Sequence, residues 1–205
     1  MLCAGTVNVG LRSPRPMASY SGKIVVEMAP LFRASRWEVK GLSSIIEAFG
    51  ARQRTRATTL LTLGERGLVK GLGRDYRIVD LGWVGDQALY PLVFSACDVF
   101  LMPSLAEAFG LMAVEAMAAG RPVVCFEGTA LPSVTHAPEC GIAVPLGDAA
   151  ALRASVDRLA ADPSEAARRG GLGRSIVAEH YGFERYLDSM AQLYRSVLSR
   201  RRTPH

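Results

Sequence analysis

The chain has no signature of a metal centre or of thiol redox chemistry. Its four cysteines (Cys3, Cys97, Cys125, Cys140) include no CxxC pair, and its three histidines (His136, His180, His205) stand at no metal-ligand spacing from them. That pattern argues against a zinc ribbon and a thioredoxin-like motif. Cys97 and Cys125 lie in or beside apolar strand-like runs and read as small core residues. No apolar run approaches the about 18 residues that a membrane-spanning helix needs. The N-terminal stretch carries Arg12 and Arg15 but no apolar signal-peptide centre. P-loop, GxSxG and HExxH motifs are all missing, as are internal repeats and low-complexity segments. There is no basic block before the tail. The net charge of +5 and pI near 9.3 suit an anionic ligand or an acidic surface, but the arginines are scattered, which argues against nucleic acid. A cytoplasmic location is expected. Arg200, Arg201 and Arg202 read as a solvated tail, or as a weak contact with the anionic inner face of a membrane, since three charges supply little anchoring.

What is present is the balance of a soluble globular domain: 205 residues, 49% hydrophobic and 21% charged, enough for one sizeable core. Residues 1–22, with Ser13-Pro14-Arg15-Pro16, read as a linker or ragged N-terminal segment, and residues 23–205 as the domain. From Lys23 the chain alternates between short apolar runs and helical periodicity. Strands are expected at Lys23–Ala29, Thr58–Leu63, Tyr76–Leu81, Asp98–Met102, Pro122–Phe126 and Gly141–Pro145. Helices are expected at Gly41–Arg54, Gln87–Ala96 and Phe109–Ala119. After Asp148 the pattern is all helical: Ala149–Ala161, a further turn starting at Pro163, and a closing helix from about Phe183 to Arg200. The fold class is therefore α/β, a Rossmann-like parallel sheet with helices on both faces and closing C-terminal helices.

The richest stretch runs from Pro103 to Val124, where Glu107 and Glu115 bracket a Phe109-Gly110-Leu111 turn between a strand and a helix. A strand, a glycine-bearing loop and a helix start make a common phosphate site. Gly110 lets backbone approach a ligand, and the amides of Gly110 and Leu111 can face a phosphate; a tight turn would require glycine regardless. Glu107 follows a strand, where a carboxylate can orient two sugar hydroxyls; it can also be a helix-start acid facing the macrodipole. Glu115 lies among apolar neighbours and needs hydrogen-bond donors, either ribose hydroxyls or, as a structural acid, a backbone group or an arginine. Arg33, Arg36 and Lys40 cluster after the first strand, suited to a diphosphate or simply a solvated basic loop. Gly82-Trp83-Val84-Gly85-Asp86 reads as a base-pocket loop or as a turn capped by Asp86. Gly71-Leu72-Gly73 and Gly170-Gly171-Leu172-Gly173 follow no strand in dinucleotide-fingerprint fashion.

Taken together, "PSLAEAFGLMAVEAMAAGRPVV", "VKGLSSIIEAF", "YRIVDLGWVGDQALYPLVFSACDVFLMPS", "GIAVPLGDAAALRASVDRLAADP" and "HYGFERYLDSMAQLYRSVL" resemble, in order and over roughly residues 23–200, the family-four retaining glycosyltransferases of GT-B fold (glycosyl transferases group 1). The resemblance covers the C-terminal, donor-binding domain only, one half of a GT-B fold. It implies a nucleotide-diphosphate sugar as donor substrate, with no cofactor and no metal. It implies that Glu107 holds the donor sugar and is the catalytic residue, and that Glu115 binds the ribose. The backbone at Phe109, Gly110 and Leu111 would cradle sugar and phosphate, while Lys40 and an arginine contact the diphosphate. The family spacing puts that arginine six residues before the lysine, where this chain has Ala34, so Arg33 is the first choice and Arg36 the second. UDP-, GDP- and ADP-sugars are all used by similar proteins. The resemblance further implies that turnover needs an acceptor domain or partner subunit, the chain being an excised half, a truncated product or a subunit. In such proteins the closing helix packs on the other domain, so its stripe from Phe183 to Leu198 is expected to be exposed and to promote self-association. Two other readings are a binding module without transfer activity and a sugar-nucleotide epimerase.

Overall fold

The computed structural model describes residues 28–50, 58–72 and 76–200. Its strands are β1 (Pro30–Ala34), β2 (Thr59–Gly64), β3 (Arg77–Asp80), β4 (Val99–Met102), β5 (Val123–Phe126) and β6 (Ile142–Val144). Its helices are α1 (Leu42–Gly50), α2 (Tyr90–Ala96), α3 (Leu111–Ala118), α4 (Leu131–Val134), α5 (Ala149–Ala161), α6 (Pro163–His180) and α7 (Phe183–Arg200). The strands form one sheet in the order β3-β2-β1-β4-β5-β6, every neighbouring pair parallel. The chain thus builds outward from β1 to β3, returns to the centre, and builds outward again from β4. The point of reversal lies between β1 and β4, where open α/β sheets take their ligands.

The central strands are apolar on both faces because both faces are covered. Phe32, Val99, Leu101, Val124 and Phe126 enter one core with Ile45 and Phe49 of α1 and Leu152 and Leu159 of α5. Their neighbours Leu31, Phe100, Val123 and Cys125 enter the other, with Phe94 of α2, Ala113 and Met117 of α3 and Leu131 of α4. A period of two along each strand therefore feeds two helix layers. Burial holds the Cys97 thiol up at about 12 and the Cys125 thiol at about 11, so both stay protonated core groups.

Several boundaries differ from the sequence expectation. Of the strand expected at Lys23–Ala29, residues 23–27 lie outside the described residues, and so does the segment 1–22. Met28 makes an isolated bridge to Thr58, and among the described residues the first strand is Pro30–Ala34. Proline is tolerated at a strand's first residue, and pairing on two sides, with Leu31 beside Leu61 and Phe100, buries every residue of this run but Arg33. The end of the helix expected to reach Arg54 also falls outside the described residues. Helix α2 starts at Tyr90 because Asp86 first closes a separate turn, its carboxylate accepting from the Ala88 amide at 2.8 Å. Helix α3 starts at Leu111 because Gly110 is left-handed. Helix α4 is too short to show a period. Helix α5 runs over Ala149–Ala161 as expected, capped by Asp148.

Gly170, Gly171 and Gly173 are interior to α6, and the first and last of them serve packing. A Cβ on Gly170 would lie 1.9 Å from the Gly120 carbonyl oxygen at the end of α3, and one on Gly173 would meet Met117 at 3.5 Å. The stripe on α7 is exposed in this chain, with Phe183, Tyr186, Leu187, Leu193, Tyr194, Val197 and Leu198 all more than two-fifths accessible. Gly170→Ala should lower the unfolding free energy by about 1–3 kcal/mol through overpacking. Gly171→Ala faces open space and should be neutral or stabilising by up to about 1 kcal/mol from helix propensity. Urea denaturation of the two variants checks the contrast.

Candidate functional site

Two loops meet at the reversal point. The loop after β1 carries a short 3-10 turn, Glu38–Lys40, and ends at Gly41, which is left-handed with φ 71° and donates its amide to the Glu38 carbonyl at 2.9 Å. A Cβ on Gly41 would stand 1.7 Å from the carbonyl oxygen of Pro103, at the end of β4. The pairing of lysine with glycine is thus explained: only glycine lets the two backbones come this close. The Leu105 amide then donates to the Val39 carbonyl at 2.8 Å, and Lys40 Nζ bonds Glu107 Oε2 at 2.9 Å. Both side chains of this ion pair are mostly buried, 22% and 16% exposed, so neither charge is well hydrated without the other.

Gly110 (φ 89°) forms the N-cap of α3, and a Cβ there would strike Leu131 at 2.5 Å. The first turn of α3 contains no acidic residue, so the positive end of its dipole is not offset from within the helix. One turn in, Glu115 accepts a hydrogen bond from the Tyr90 hydroxyl at 3.0 Å. Burial holds the Glu115 carboxyl above its usual range, and the bond from Tyr90 works against that. Tyr90 in turn is pushed up to about 12, first by burial and then by the charge and hydrogen bond of Glu115, with the positive Arg33 opposing.

Arg33, Lys40, Glu107, Phe109, Gly110, Leu111 and Glu115 all line one cavity of about 500 Å³ at the carboxyl ends of β1 and β4. Gly64, Gly82, Trp83, Val84 and Tyr90 line it too. Arg36 does not: its guanidinium bonds Glu65 at 3.0 Å and its side chain is 77% exposed. The Arg33 guanidinium lies over the Trp83 ring, 5.4 Å from its centroid. Phe109 packs edge-on against Tyr181 at 5.8 Å. Among the described residues no group of three His, Cys, Asp or Glu is arranged to hold a metal ion, and no helix is long and apolar enough to cross a membrane.

Residues 30–162 match the family of glycosyl transferases group 1. The chain belongs to that family. It is 32% identical over 171 residues to the MMP alpha-(1->4)-mannosyltransferase of Mycolicibacterium hassiacum, an alignment covering 79% of this chain and 41% of the relative. Sucrose-phosphate synthase from Thermosynechococcus elongatus superimposes with a TM-score of 0.72 at 28% identity, over 84% of this chain and 46% of that one. Anabaena HepE, solved in complex with UDP and glucose, has the same fold, with a TM-score of 0.72 at 20% identity over 83% and 49% of the two chains. The chain therefore spans less than half the length of each of these three proteins. Its six-stranded parallel sheet is the Rossmann-like sheet of GT-B glycosyltransferases.

Within this group 1 domain, sequence reasoning named both glutamates but not their partners. Glu107 is held by Lys40, and the helix it precedes starts only at Leu111. Glu115 is held by a tyrosine, neither a backbone group nor an arginine. Tyr90 was missed because it sits 25 residues from Glu115 and on another helix. Its one visible signal was a tyrosine at the start of a short helix after a glycine-bounded turn. Because burial raises the Glu115 carboxyl, its protonated form favours the folded state. That contribution is complete below the ordinary value of 4.5 and is lost as pH rises through the higher folded-state value. Glu115→Gln keeps an acceptor for Tyr90 but cannot ionise. Its stability relative to the wild type should therefore rise between about pH 4 and pH 7, measured by urea unfolding at both ends.

Proposed function

We propose that this chain is the donor-binding half of a retaining glycosyltransferase, taking a nucleotide-diphosphate sugar and needing neither metal nor cofactor. The observation that carries this reading is the convergence of Glu107, Glu115, Lys40, Arg33 and the start of α3 on one cavity at the sheet's reversal point. Glu115, partly desolvated and satisfied by one hydroxyl, is suited to the vicinal hydroxyls of a ribose. Glu107 accepts from hydroxyls of the transferred sugar and is the catalytic residue. Phe109, Gly110 and Leu111 bring backbone against sugar and phosphate. As the bond from the anomeric carbon to the phosphate oxygen breaks, negative charge grows on the diphosphate. Arg33, Lys40 and the amino end of α3 stabilise it, which is the work a metal would otherwise do. The helix end supplies about 0.3–1 kcal/mol, up to about 2 when partly buried. Rate enhancement demands at least about 8 kcal/mol, so the cations and substrate positioning carry most of it.

The fold shared with HepE in complex with UDP and glucose favours UDP as the first nucleotide to test, with GDP and ADP beside it. On this reading turnover requires an acceptor-binding domain beyond these residues, and its surface covers the exposed stripe of α7. The chain by itself is then a nucleotide-sugar-binding module without turnover, consistent with its match to 41% of the mannosyltransferase. The same reading places the protein in the cytoplasm, with weak membrane-surface contact through its arginine tail as a minor addition.

Calorimetry with UDP, GDP, ADP and their glucose or mannose conjugates should show saturable binding of one nucleotide. Glu115→Ala should weaken it roughly ten- to a hundredfold, as expected for lost hydrogen bonds to a charged group, about 1.5–3 kcal/mol. Unchanged affinity in that variant would contradict the assignment. Light scattering after size-exclusion chromatography should show concentration-dependent self-association of the chain through α7; a strict monomer at high concentration would count against it.

A further inference from the structure

The three cations Arg33, at the end of β1, and Arg36 and Lys40, in the loop after it, are partnered unequally. Arg36 is bonded to Glu65 outside the cavity, and Lys40 is bonded to Glu107 inside it. Arg33 lines the cavity with no carboxylate partner among the described residues; what it meets is the face of Trp83. Trp83 is 71% exposed, an unusual condition for so large an apolar ring, and neither buried core claims it. The loop beneath it is nevertheless anchored. The Gly64 amide donates to the Gly82 carbonyl at 2.9 Å, and the Gly82 amide to Asp80 Oδ1 at 3.3 Å. Arg66 also donates to the Leu81 carbonyl at 3.1 Å. The indole is therefore presented from a fixed base at the cavity mouth.

A carboxylate partner would hold Arg33 still but would cancel its charge. An aromatic face restrains the guanidinium and leaves both its charge and its in-plane N–H donors available for a second, anionic partner. We propose that Trp83 is a positioning residue that holds Arg33 over the cavity with its charge uncompensated, ready for the oxygens of a diphosphate. The inference rests on the donor-site reading above and adds to it a residue that acts through Arg33.

The test uses the 205-residue chain, with UDP, GDP and ADP and the matching nucleosides uridine, guanosine and adenosine, followed by calorimetry and ligand-observed NMR. Trp83→Leu should weaken the bound nucleoside diphosphate roughly three- to tenfold, the size of one cation–π contact, and leave the nucleoside unaffected. Trp83→Phe, which keeps an aromatic face, should restore most of the loss. In an Arg33→Ala background, Trp83→Leu should have no further effect, because a residue that acts only through Arg33 cannot be additive with it. Equal weakening of nucleoside and diphosphate would make Trp83 a base-stacking residue and overturn the inference. So would additivity with Arg33→Ala, or unchanged affinity in Trp83→Leu, while diphosphate binding by the wild type would leave the donor-site reading standing. Failure of the wild-type chain to bind any of the three diphosphates would overturn that reading and the inference together.

Discussion

The close approach of Gly41 to the Pro103 carbonyl is the contact on which the rest of the site depends. It joins the loop after β1 to the loop after β4 at the place where the sheet changes direction. With the two backbones in contact, the Leu105 amide reaches Val39 and the Lys40 ammonium reaches Glu107. Any side chain at residue 41 would separate the loops and break both. The conformation that glycine alone adopts cheaply therefore sets the positions of a cation and a carboxylate that lie 67 residues apart in sequence.

The polar groups of the cavity share a common arrangement: each is held by a partner that a ligand can replace or supplement. Lys40 and Glu107 neutralise one another, Tyr90 satisfies Glu115, and Trp83 restrains Arg33. A half-buried charge left alone would carry a desolvation cost, and flexible side chains left alone would lose entropy on binding. Placeholder partners reduce both costs and keep the cavity ordered without a ligand. The three pairs differ in what they leave available. The ion pair offers little net charge until it opens, whereas Arg33 keeps its full charge because its partner is an aromatic ring.

How much of this was legible in the sequence follows from what each feature depends on. Helix α5 was readable to the residue because Asp148 caps it locally and its apolar period is long. The buried strands β2, β4 and β5 were readable as apolar runs between turn residues. The strand Pro30–Ala34 was not read from the sequence, because it opens on a proline and is selected by its pairing on two sides. Both glutamates and Lys40 were legible through their spacing and their resemblance to a family. Tyr90, Trp83 as the ring facing Arg33, and the helix-packing role of Gly170 were not, because each is defined by a contact between distant segments. A motif points to the residues that gather at the cavity, but the partner that holds each of them comes from the packing.

The measurement that tests the central claim most directly is a crystal structure of the chain soaked with UDP-glucose, and with its GDP and ADP counterparts if UDP-glucose does not bind. The account predicts the ribose on Glu115, the diphosphate against Arg33, Lys40 and the amino end of α3, and the sugar within hydrogen-bond distance of Glu107. The Lys40–Glu107 pair should be opened or shared with the ligand. A nucleotide sugar bound elsewhere, with the cavity between β1 and β4 vacant and that pair unchanged, would contradict it.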